Sequence, residues 1–412
     1  MTPRTVAVHR AAVVALLEGL RAPGRTEVLP LVQALGRGLP QPVTAPVSLP
    51  PFANSQMDGY AVRAVDTQRP GDADMPAHDA GARLRVSAPV PAGTTPPGLA
   101  PGTAAPIMTG AMLPAGADAV VPIEKAVPDR FLAAGDEAAV TLPATAAGTY
   151  VRAVGSDLRE GSVALPAGSF LGPAQLGLLA ALGLPEVAVY RAVTVLLVTT
   201  GDEVVAPGQE LPAGKIYDAN GTLLEAAMVQ AGLRVRRAGI ATDNPAELLE
   251  LLRAESAGAD LIVTTGGVSK GAYEVVRQAL ADQPVEFLPV AMQPGGPQGI
   301  GTVDGVPILG FPGNPVSCLV SFEMFLRPAL TELLGAPAPR PRVRARLRHP
   351  LESPHHKHQV RRGTLHPDGT VGLQGGAGSH LMHALAGSNA LVHVPEGQSA
   401  LSAGDEVEVW TL

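Results

Sequence analysis

The segment from about residue 190 to 334 constrains the fold most, because runs of strand length alternate there with stretches of helical spacing. Residues 193–198 are apolar or β-branched throughout, which is typical of a strand covered on both faces. Further strands are predicted at 233–240, 260–264 and 306–310, and helices at about 222–230, 246–254 and 273–280, with another beginning near Val316. Repeated strand–loop–helix units predict a doubly wound, mostly parallel sheet.

The unusual loops of this segment all follow strands. They lie at 199–203, 242–245, 265–269 and 311–315, and in an open α/β sheet the carboxyl ends of the strands form the edge where ligands bind. Gly266, Gly267, Gly313 and Asn314 tolerate positive φ and allow backbone N–H groups to approach an anion. The loops therefore predict a site for a phosphate-bearing ligand.

Carboxylates follow the same edge of the predicted sheet. Asp202, Glu203 and Asp243 would lie beside the bound anion, and carboxylates next to phosphate repel it unless a hard cation lies between them. The pattern therefore indicates Mg²⁺, with Glu203 and Asp243 as candidate ligands. Asp and Gly are also ordinary turn residues, so a plain turn is the alternative at any single loop. The residues alone predict a nucleotide or phosphoester site with Mg²⁺ and no more.

The chain of 412 residues is too long for one ordinary domain. Residues 1–48 and 149–188 are predicted to form a mostly helical domain, into which a β-rich domain at 49–148 is inserted. The α/β domain occupies 189–335. After a Pro-rich linker at 336–341, short strand patterns predict a small, barrel-like β domain over 340–412. The predicted fold class is therefore multi-domain, α/β plus β.

Composition excludes several classes of protein. The formal net charge of −7 and the aromatic content of 3% disfavour a nucleic-acid partner. The single cysteine, Cys318, excludes an internal disulfide and a Cys-based zinc site, and a buried thiol is expected there. The apolar stretch at 11–17 predicts an amphipathic helix rather than a signal peptide, and no apolar run approaches the roughly 18 residues of a membrane span. A soluble, cytoplasmic protein is expected.

Two further patterns favour a structural role over a binding role. Arg340, Arg342, Arg344, Arg346 and Arg348 alternate, so in a strand they would line one face. That face could meet phosphate or RNA, but an exposed face protected against edge pairing explains it at least as well. The histidines at 355, 356 and 358 flank a lysine and predict a solvated loop rather than a metal site.

Longer motifs resemble one family. The stretch 51–62, Pro-Phe-Ala-Asn-Ser-Gln-Met-Asp-Gly-Tyr-Ala-Val, resembles the signature of the molybdopterin molybdenumtransferases, the MoeA and gephyrin E-domain family. The likeness continues at 107–111, 200–203, 216–220, 266–269, 312–317, 362–363 and 378–380. These motifs lie in family order and span essentially the whole chain. The resemblance implies the four-part layout above, with a helical linking and dimerisation domain and an α/β domain of the MoaB and MogA type.

The resemblance also implies a reaction. Such enzymes take adenylylated molybdopterin and molybdate, cleave the phosphoanhydride in the presence of Mg²⁺, and release AMP with molybdenum bound to the dithiolene. The implied catalytic residues are Asp58, Glu203 and Asp243. The implied substrate-binding residues are Thr109, Gly266, Gly267, Ser269, Pro312, Gly313, Asn314 and Ser317, and the implied molybdate-binding residues are Ser269, Arg362 and Ser379.

The resemblance implies partners as well. Members form elongated homodimers in which the inserted domain of one subunit faces the α/β domain of the other, so that Asp58 and Thr109 would act across the subunit interface. A molybdopterin adenylyltransferase is a further candidate partner. Arg362 is preferred to its neighbour Arg361 for the oxyanion because it directly precedes Gly363.

The chain departs from the family pattern at cationic positions. Many members carry Lys-Pro-Gly-Lys-Pro where this chain has Gln293-Pro294-Gly295-Gly296-Pro297, and an earlier lysine is Pro289 here. An acidic residue usual before Tyr273 is Ala272. Lys270 and Glu274 are adjacent substitutes, although a neighbouring residue usually points elsewhere. The departures predict weaker oxyanion binding or a different metal arrangement.

Three alternatives stay open on the sequence. A molybdopterin adenylyltransferase or a competence-damage-related nucleotide hydrolase would share the α/β domain, but it would lack residues 54–62 and the terminal β domain. A scaffold protein, by analogy with the receptor-clustering role of gephyrin, would need a partner groove. A paralogue that binds the pterin adenylate without turnover is favoured by the lost lysines. The sequence does not discriminate molybdate from tungstate.

Overall fold

The computed structural model describes residues 2–68, 81–135, 138–241, 243–268 and 274–412. The chain divides into two compact units. The first comprises Met1–Pro42, Pro166–Leu176 and Pro185–Leu412, and the second comprises Val43–Leu165 and Gly177–Leu184. The segment predicted as an inserted β-rich domain, 49–148, makes up most of the second unit. The predicted α/β and C-terminal segments both belong to the first.

The α/β domain contains a six-stranded sheet. Its strands lie in the order Arg234–Ala241, Thr194–Thr200, Leu261–Thr265, Val306–Phe311, Pro297–Val303, Val285–Pro289. The first four are parallel, as predicted. The last two were not predicted, and Pro297–Val303 runs antiparallel to both of its neighbours, Val306–Phe311 and Val285–Pro289. The helices of this domain are Ala219–Gln230, Pro245–Glu255, Val275–Ala279, Pro315–Ser321 and Arg327–Leu334, with a π-helical turn at Phe322–Leu326.

The central strand Thr194–Thr200 is covered on both faces. Val195 and Leu197 join the cluster that contains the helix Ala219–Gln230, whereas Leu196 and Val198 join the cluster that contains the helix Pro245–Glu255. Because side chains alternate along a strand, a run that is apolar at successive positions can fill two cores. The sequence pattern at 193–198 is thus explained by packing.

The first helix, Val6–Leu16, packs on the core of the α/β domain through Val13 rather than belonging to a separate helical domain. The segments 1–48 and 149–188 are also less helical than predicted. They contain the helix Pro173–Ala181 and short 3₁₀ turns at Glu18–Arg21 and Leu31–Ala34, but the strands Thr26–Pro30 and Glu186–Tyr190 pair antiparallel. Alternating burial along Glu186–Tyr190 shows a period of two, which favours a strand.

The second unit is β-rich, as predicted. Its main sheet has the order Ala119–Pro122, Gly59–Val62, Thr103–Ile107, Gly81–Val86, Ala139–Pro143. Short strands pair beside it, Asn54–Ser55 with Val151–Arg152 and Val43–Thr44 with Val163–Leu165. Tyr60 is completely buried, and its hydroxyl donates to the carbonyl of Arg130 at 2.8 Å.

The C-terminal domain is a closed barrel of five strands, Arg342–Leu347, His358–Leu365, Thr370–Leu373, Ala390–Val394 and Glu406–Thr411. The barrel closes because His358–Leu365 pairs with both Thr370–Leu373 and Ala390–Val394. Short strands at Met292–Gln293, Leu351–Glu352 and Ala400–Leu401 and a helix at Met382–Ala386 accompany it. The prediction of a small barrel-like β domain is confirmed.

The alternating arginines do not protect an edge. The face that carries Arg342, Arg344 and Arg346 is exposed, as expected, but the strand Arg342–Leu347 pairs on both sides, with Thr370–Leu373 and Glu406–Thr411, so there is no free edge to protect. Arg344 and Arg346 lie opposite Glu408 and Glu406 in the register, and the Arg342 guanidinium lies 4.7 Å from the centre of the Trp410 ring. Acidic and aromatic neighbours therefore balance this basic face.

The histidine-rich segment is a solvated loop only in part. His355 and His356 are exposed, as expected, but His358 begins a strand and its Nε2 lies 3.0 Å from Nδ1 of the buried His393. Among the residues that the structure describes, no three His, Cys, Asp or Glu side chains cluster in a way that could hold a metal. None of the described helices is both long and apolar enough to cross a bilayer.

His9 makes the stability of the first unit depend on pH. It is buried, its ring packs edge-on against Phe325 at 4.6 Å, and burial together with the charge of Arg4 lowers the pKa of His9 to about 4. In the unfolded chain the His9 side chain binds a proton near pH 6.5, whereas in the folded chain it does not. The contribution of His9 to the unfolding free energy is therefore fully present above pH 6.5 and decreases as the pH falls toward 4. Between pH 7 and 5 we expect the wild type to lose about 2 kcal/mol more unfolding free energy than His9→Gln, measured by urea unfolding.

The exposed His356 supplies the control. His356→Gln should follow the wild-type pH dependence. Equal pH profiles for wild type and His9→Gln would show that His9 titrates normally in the folded protein.

Candidate functional site

A cavity of about 860 Å³ lies at the carboxyl ends of the parallel strands in the first unit. The chain enters the sheet at Thr194–Thr200, continues to Arg234–Ala241 on one side, and then crosses to Leu261–Thr265 on the other. The loops after these strands diverge, and ligands bind at such a switch point. We call this space the carboxyl-edge cavity. Its wall includes these predicted site residues: Glu203, Asp243, Gly266, Gly267, Pro312, Gly313, Asn314, Ser317 and Ser379.

The remaining predicted residues lie elsewhere. Ser269 lies outside the described residues, as do Lys270 and Ala272. Asp58 and Thr109 lie in the second unit. Arg362 is buried and is not among the residues that line the cavity.

Gly266 and Gly267 take the backbone conformation that the sequence predicted. Their φ angles are +89° and +62°. A Cβ atom on Gly267 would lie 2.8 Å from the backbone nitrogen of Val276, so a side chain there would force the loop off the following helix. Both the sign of φ and the lack of space therefore require glycine at position 267.

Gly313 and Asn314 tolerate positive φ but do not adopt it here. Gly313 is not among the glycines with positive φ, and Asn314 has φ −76° and ψ 133°. Asn314 is the N-cap of the helix Pro315–Ser321, and N-cap residues are extended because the chain turns from strand to helix there. This turn therefore lines the cavity in an ordinary conformation.

Two carboxylates fix the relative positions of two loops. The backbone N–H of Asp202 donates to Oδ2 of Asp243 at 3.2 Å, and the N–H of Asp243 donates to Oδ1 of Asp202 at 3.0 Å. Glu203 lies against Gly201, where a Cβ would come within 2.5 Å of Glu203 Oε2. The reciprocal bonds hold Asp243 close to the loop that carries Glu203.

The charge of the cavity wall is one-sided. Its described residues include Glu203, Asp218, Asp243 and Glu274 but no lysine or arginine. Carboxylate oxygens suit Mg²⁺, which proteins usually hold through one or two carboxylates together with substrate phosphates. Glu203 and Asp243 fit that donor set, and a phosphate-bearing ligand would complete it.

Sequence reasoning overlooked Asp218 and Asn220 as wall residues. Asp218 is buried and caps the helix Ala219–Gln230, accepting from the Gly221 N–H at 2.8 Å and the Thr199 hydroxyl at 3.2 Å, and it pairs with Arg237. An aspartate directly before a helix is an N-cap pattern, so this signal was available.

One position where this chain departs from the pattern of the resemblance, Gln293, lines the cavity, whereas Gly296 and Pro289 are not among the lining residues. Pro294, Gly295 and Pro297 line the cavity as well. Gln293 Oε1 accepts from the amide of Gln359 at 2.7 Å. At the position where the resemblance implies a lysine, this chain thus has a neutral amide that is already hydrogen-bonded.

Arg362 supports the cavity wall from behind. Its guanidinium donates to the carbonyl of Gly376, next to the wall residues Ala377 and Gly378. Its Nε has no partner among the described residues, and burial followed by the neighbouring Arg361 lowers its pKa. A buried guanidinium without a carboxylate partner contributes positive potential near the wall.

Asp58 and Thr109 form a local pair in the second unit. Asp58 Oδ1 accepts from the backbone N–H of Thr109 at 2.7 Å and from its hydroxyl at 2.8 Å. The backbone and then the side-chain hydrogen bond of Thr109 lower the pKa of Asp58, so the carboxylate is ionised at neutral pH. Both residues are exposed, and their predicted action across a subunit interface stays a prediction.

The fold and cavity define an α/β protein with a cavity at the switch point of a mostly parallel sheet and a closed C-terminal barrel. Family models match in chain order: the MoeA N-terminal region (domain I and II) at 4–183, a probable molybdopterin binding domain at 196–332, and the MoeA C-terminal region (domain IV) at 344–412. The chain is 43% identical to molybdopterin molybdenumtransferase 2 of Mycobacterium tuberculosis, over 99% of this chain and 100% of that protein.

Other relatives agree. A molybdopterin molybdenumtransferase of Nostoc is 36% identical, with 94% of this chain and 89% of that protein covered. A crystal structure of a molybdopterin biosynthesis MoeA protein from Pyrococcus horikoshii has a TM-score of 0.75 and 32% identity, with 97% and 98% covered. The chain therefore belongs to the molybdopterin molybdenumtransferase family, which confirms the resemblance found in the sequence.

Gly267→Ala tests whether the Gly266-Gly267 turn requires positive φ and the absence of a side chain at position 267. We expect it to lose about 2 to 3 kcal/mol of unfolding free energy, because both positive φ and the contact with Val276 oppose a side chain. Urea unfolding measures this loss. Gly305→Ala is the control, since Gly305 has φ +83° but nothing within 4 Å of an added Cβ; it should lose only about 1 kcal/mol. Equal losses would mean that the contact is relieved without cost.

Proposed function

We propose that this chain inserts molybdenum from molybdate into adenylylated molybdopterin, with Mg²⁺-dependent release of AMP. The observation that carries the proposal is the convergence of Glu203, Asp243, the Gly266-Gly267 turn and the 312–317 segment on one cavity. Membership of the family supports the reaction type. The proposal includes a homodimer and a cytoplasmic location, with a molybdopterin adenylyltransferase as the supplier of the adenylylated substrate.

The adenylate would lie on the glycine turn and the 312–314 turn. Because Gly266 and Gly267 have no side chains, a phosphate can approach the backbone of their turn closely, although the Gly266 N–H already donates to the carbonyl of Phe311 at 3.1 Å. Glu203 and Asp243 would hold Mg²⁺ next to that phosphate. When bound, Mg²⁺ partly neutralises the bridging phosphates and so stabilises AMP as the leaving group.

Molybdate, the second substrate, would bind near Ser379. Ser379 lines the cavity, and the segment before it accepts hydrogen bonds from the buried Arg362. The unpaired positive charge of Arg362 favours an oxyanion on the cavity side of this segment. Ser269 remains part of the proposed oxyanion site through its family match alone.

The second candidate function is a paralogue that binds the pterin adenylate but turns it over slowly. One observation favours it: the described cavity wall has no lysine, and Gln293 and Gly296 occupy positions where many relatives have one. Fewer cations lower the affinity for a dianionic oxyanion. The two candidates differ in AMP release.

Purified protein with adenylylated molybdopterin, Mg²⁺ and molybdate should release AMP. Chelating Mg²⁺ should abolish the release, and Glu203→Gln should lower kcat at least about 100-fold, because an uncharged amide binds Mg²⁺ poorly. Chromatography of AMP measures the rate. Glu250→Gln, on the helix Pro245–Glu255 and away from the cavity wall, is the control and should retain full activity.

Tight binding of the adenylylated pterin without AMP release would instead establish the slow paralogue. AMP release that survives chelation would remove Mg²⁺ from the proposal.

Asp58→Asn tests the role of the second unit. An asparagine Oδ1 can still accept both bonds from Thr109, so the variant removes the charge with little change in structure. We expect AMP release to fall about 100-fold with unchanged thermal stability. Asp66→Asn, in the same unit, is the control. Wild-type activity in Asp58→Asn would exclude this carboxylate from the reaction.

Mixing variants tests the homodimer. If Asp58 of one copy serves the Glu203 of another, a dimer of Asp58→Asn with Glu203→Gln contains one intact site. Co-expressed variants should then recover about a quarter of the wild-type rate, since half of the dimers are mixed and each has one working site of two. No recovery in purified mixed dimers would place both residues in one copy.

A further inference from the structure

The turn at 312–314 lines the carboxyl-edge cavity and joins the strand Val306–Phe311 to the helix Pro315–Ser321. Its first two carbonyl oxygens each accept a hydrogen bond from a side chain. The Cys318 thiol donates to the carbonyl of Pro312 at 2.7 Å, and Nδ2 of Asn220 donates to the carbonyl of Gly313 at 2.6 Å. The two donors come from different helices.

We infer that Asn220 and Cys318 are positioning residues that fix the Pro312 and Gly313 carbonyls, so that the turn presents a constant surface to an anionic ligand. Carbonyl oxygens carry partial negative charge and repel phosphate when they face it. Engagement by protein donors sets their direction and lowers their negative potential. The inference rests on the proposed function, since it concerns how the same cavity receives an adenylate.

The amide of Asn220 has one possible orientation. A carbonyl oxygen only accepts, so Nδ2 must face Gly313, which leaves Oδ1 on the other side. Oδ1 is buried and has no partner among the described residues. A buried acceptor without a donor costs about 1 to 3 kcal/mol. Folding alone would favour a smaller or apolar side chain, so the bond to Gly313 is the feature that an asparagine supplies here.

Cys318 is suited to act as a donor only. It is fully buried, and burial followed by the negative charge of Asp218 raises the pKa of its thiol far above neutrality. The sulfur therefore keeps its proton and donates to Pro312. A neutral buried thiol is also a poor nucleophile, so no covalent role competes with this one.

The helix that follows the turn is bonded to the segment that carries Ser379. The backbone N–H of Val316 donates to the carbonyl of Ser379 at 3.1 Å. Helix Ala219–Gln230, which carries Asn220, is itself fixed at its start by the buried cap Asp218. A displacement of the turn would consequently be felt at Ser379, where molybdate is proposed to bind.

Two measurements test the inference with Asn220→Ala, Cys318→Ala, the double variant and the conservative Cys318→Ser. Amide hydrogen exchange of a peptide covering 310–319 reports the order of the turn in the free protein. Calorimetric titration with AMP and Mg²⁺ reports its effect on the ligand. Asn389→Ala is the control, because Asn389 also bridges two backbone groups, those of Leu365, but lies away from the cavity wall.

We expect faster exchange of the peptide in both alanine variants. The Kd of AMP should rise about 10-fold in Asn220→Ala and about 3-fold in Cys318→Ala, and it should stay within about 2-fold in Cys318→Ser, where a hydroxyl replaces the donor. The double variant should be no more than about 2-fold weaker than Asn220→Ala, because both side chains act on one turn.

Unchanged exchange in Asn220→Ala and Cys318→Ala would overturn the inference, as would an equal loss of AMP affinity in Asn389→Ala. Multiplicative effects in the double variant would also contradict it. If the wild type binds no AMP, the proposed function fails, and the exchange data alone then decide whether the two side chains hold the turn.

Discussion

The two-sided pairing of the strand Thr194–Thr200 is the constraint on which the site depends. It pairs in parallel with Arg234–Ala241 on one side and Leu261–Thr265 on the other. Parallel strands need crossover connections. The chain adds one neighbouring strand on each side of Thr194–Thr200, so the helices of these connections pack on opposite faces of the sheet. The loops at its carboxyl end must then separate, and the cavity between them follows from the topology rather than from any single loop.

The charge of that cavity creates the next constraint. Four carboxylates line a space that the proposed function assigns to an anionic substrate, and the described lining residues include no lysine or arginine. Like charges that face each other destabilise a complex by several kcal/mol where the dielectric constant is low. A divalent cation resolves this conflict most simply, because it binds carboxylate and phosphate oxygens at once. The acidic wall is therefore understandable only together with the ligand.

Local patterns in the sequence predicted the parallel core and several of the residues that line the cavity. The strand at 194–200 and the glycines at 266 and 267 follow from burial on two faces and from positive φ, which are properties of short segments. Tertiary pairing decided the rest. The antiparallel strands Pro297–Val303 and Val285–Pro289 contain proline and several glycines, so they lack a clear strand pattern and are stabilised by their neighbours in the sheet. The burial of Arg362 likewise depends on the loop at 375–376, which no spacing in the sequence reveals.

The contacts of residues 293 and 296 show what replaces the lysines that the resemblance implies at these positions. A lysine is a mobile point charge, whereas Gln293 is a neutral amide held by Gln359, and Gly296 has no side chain at all. On the carboxylate side of the cavity, Arg237 pairs with Asp218 and Lys215 donates to the carbonyl of Asp202. Beside the 377–380 segment, Arg361 and Arg362 donate to the carbonyls of Gly375 and Gly376. An oxyanion would feel their field across a layer of backbone rather than by direct contact. Oxyanion binding in this chain should accordingly depend more on the backbone and hydroxyl donors of the 377–380 segment than on salt bridges. The affinity should therefore fall less with rising ionic strength than the affinity of a site built on salt bridges.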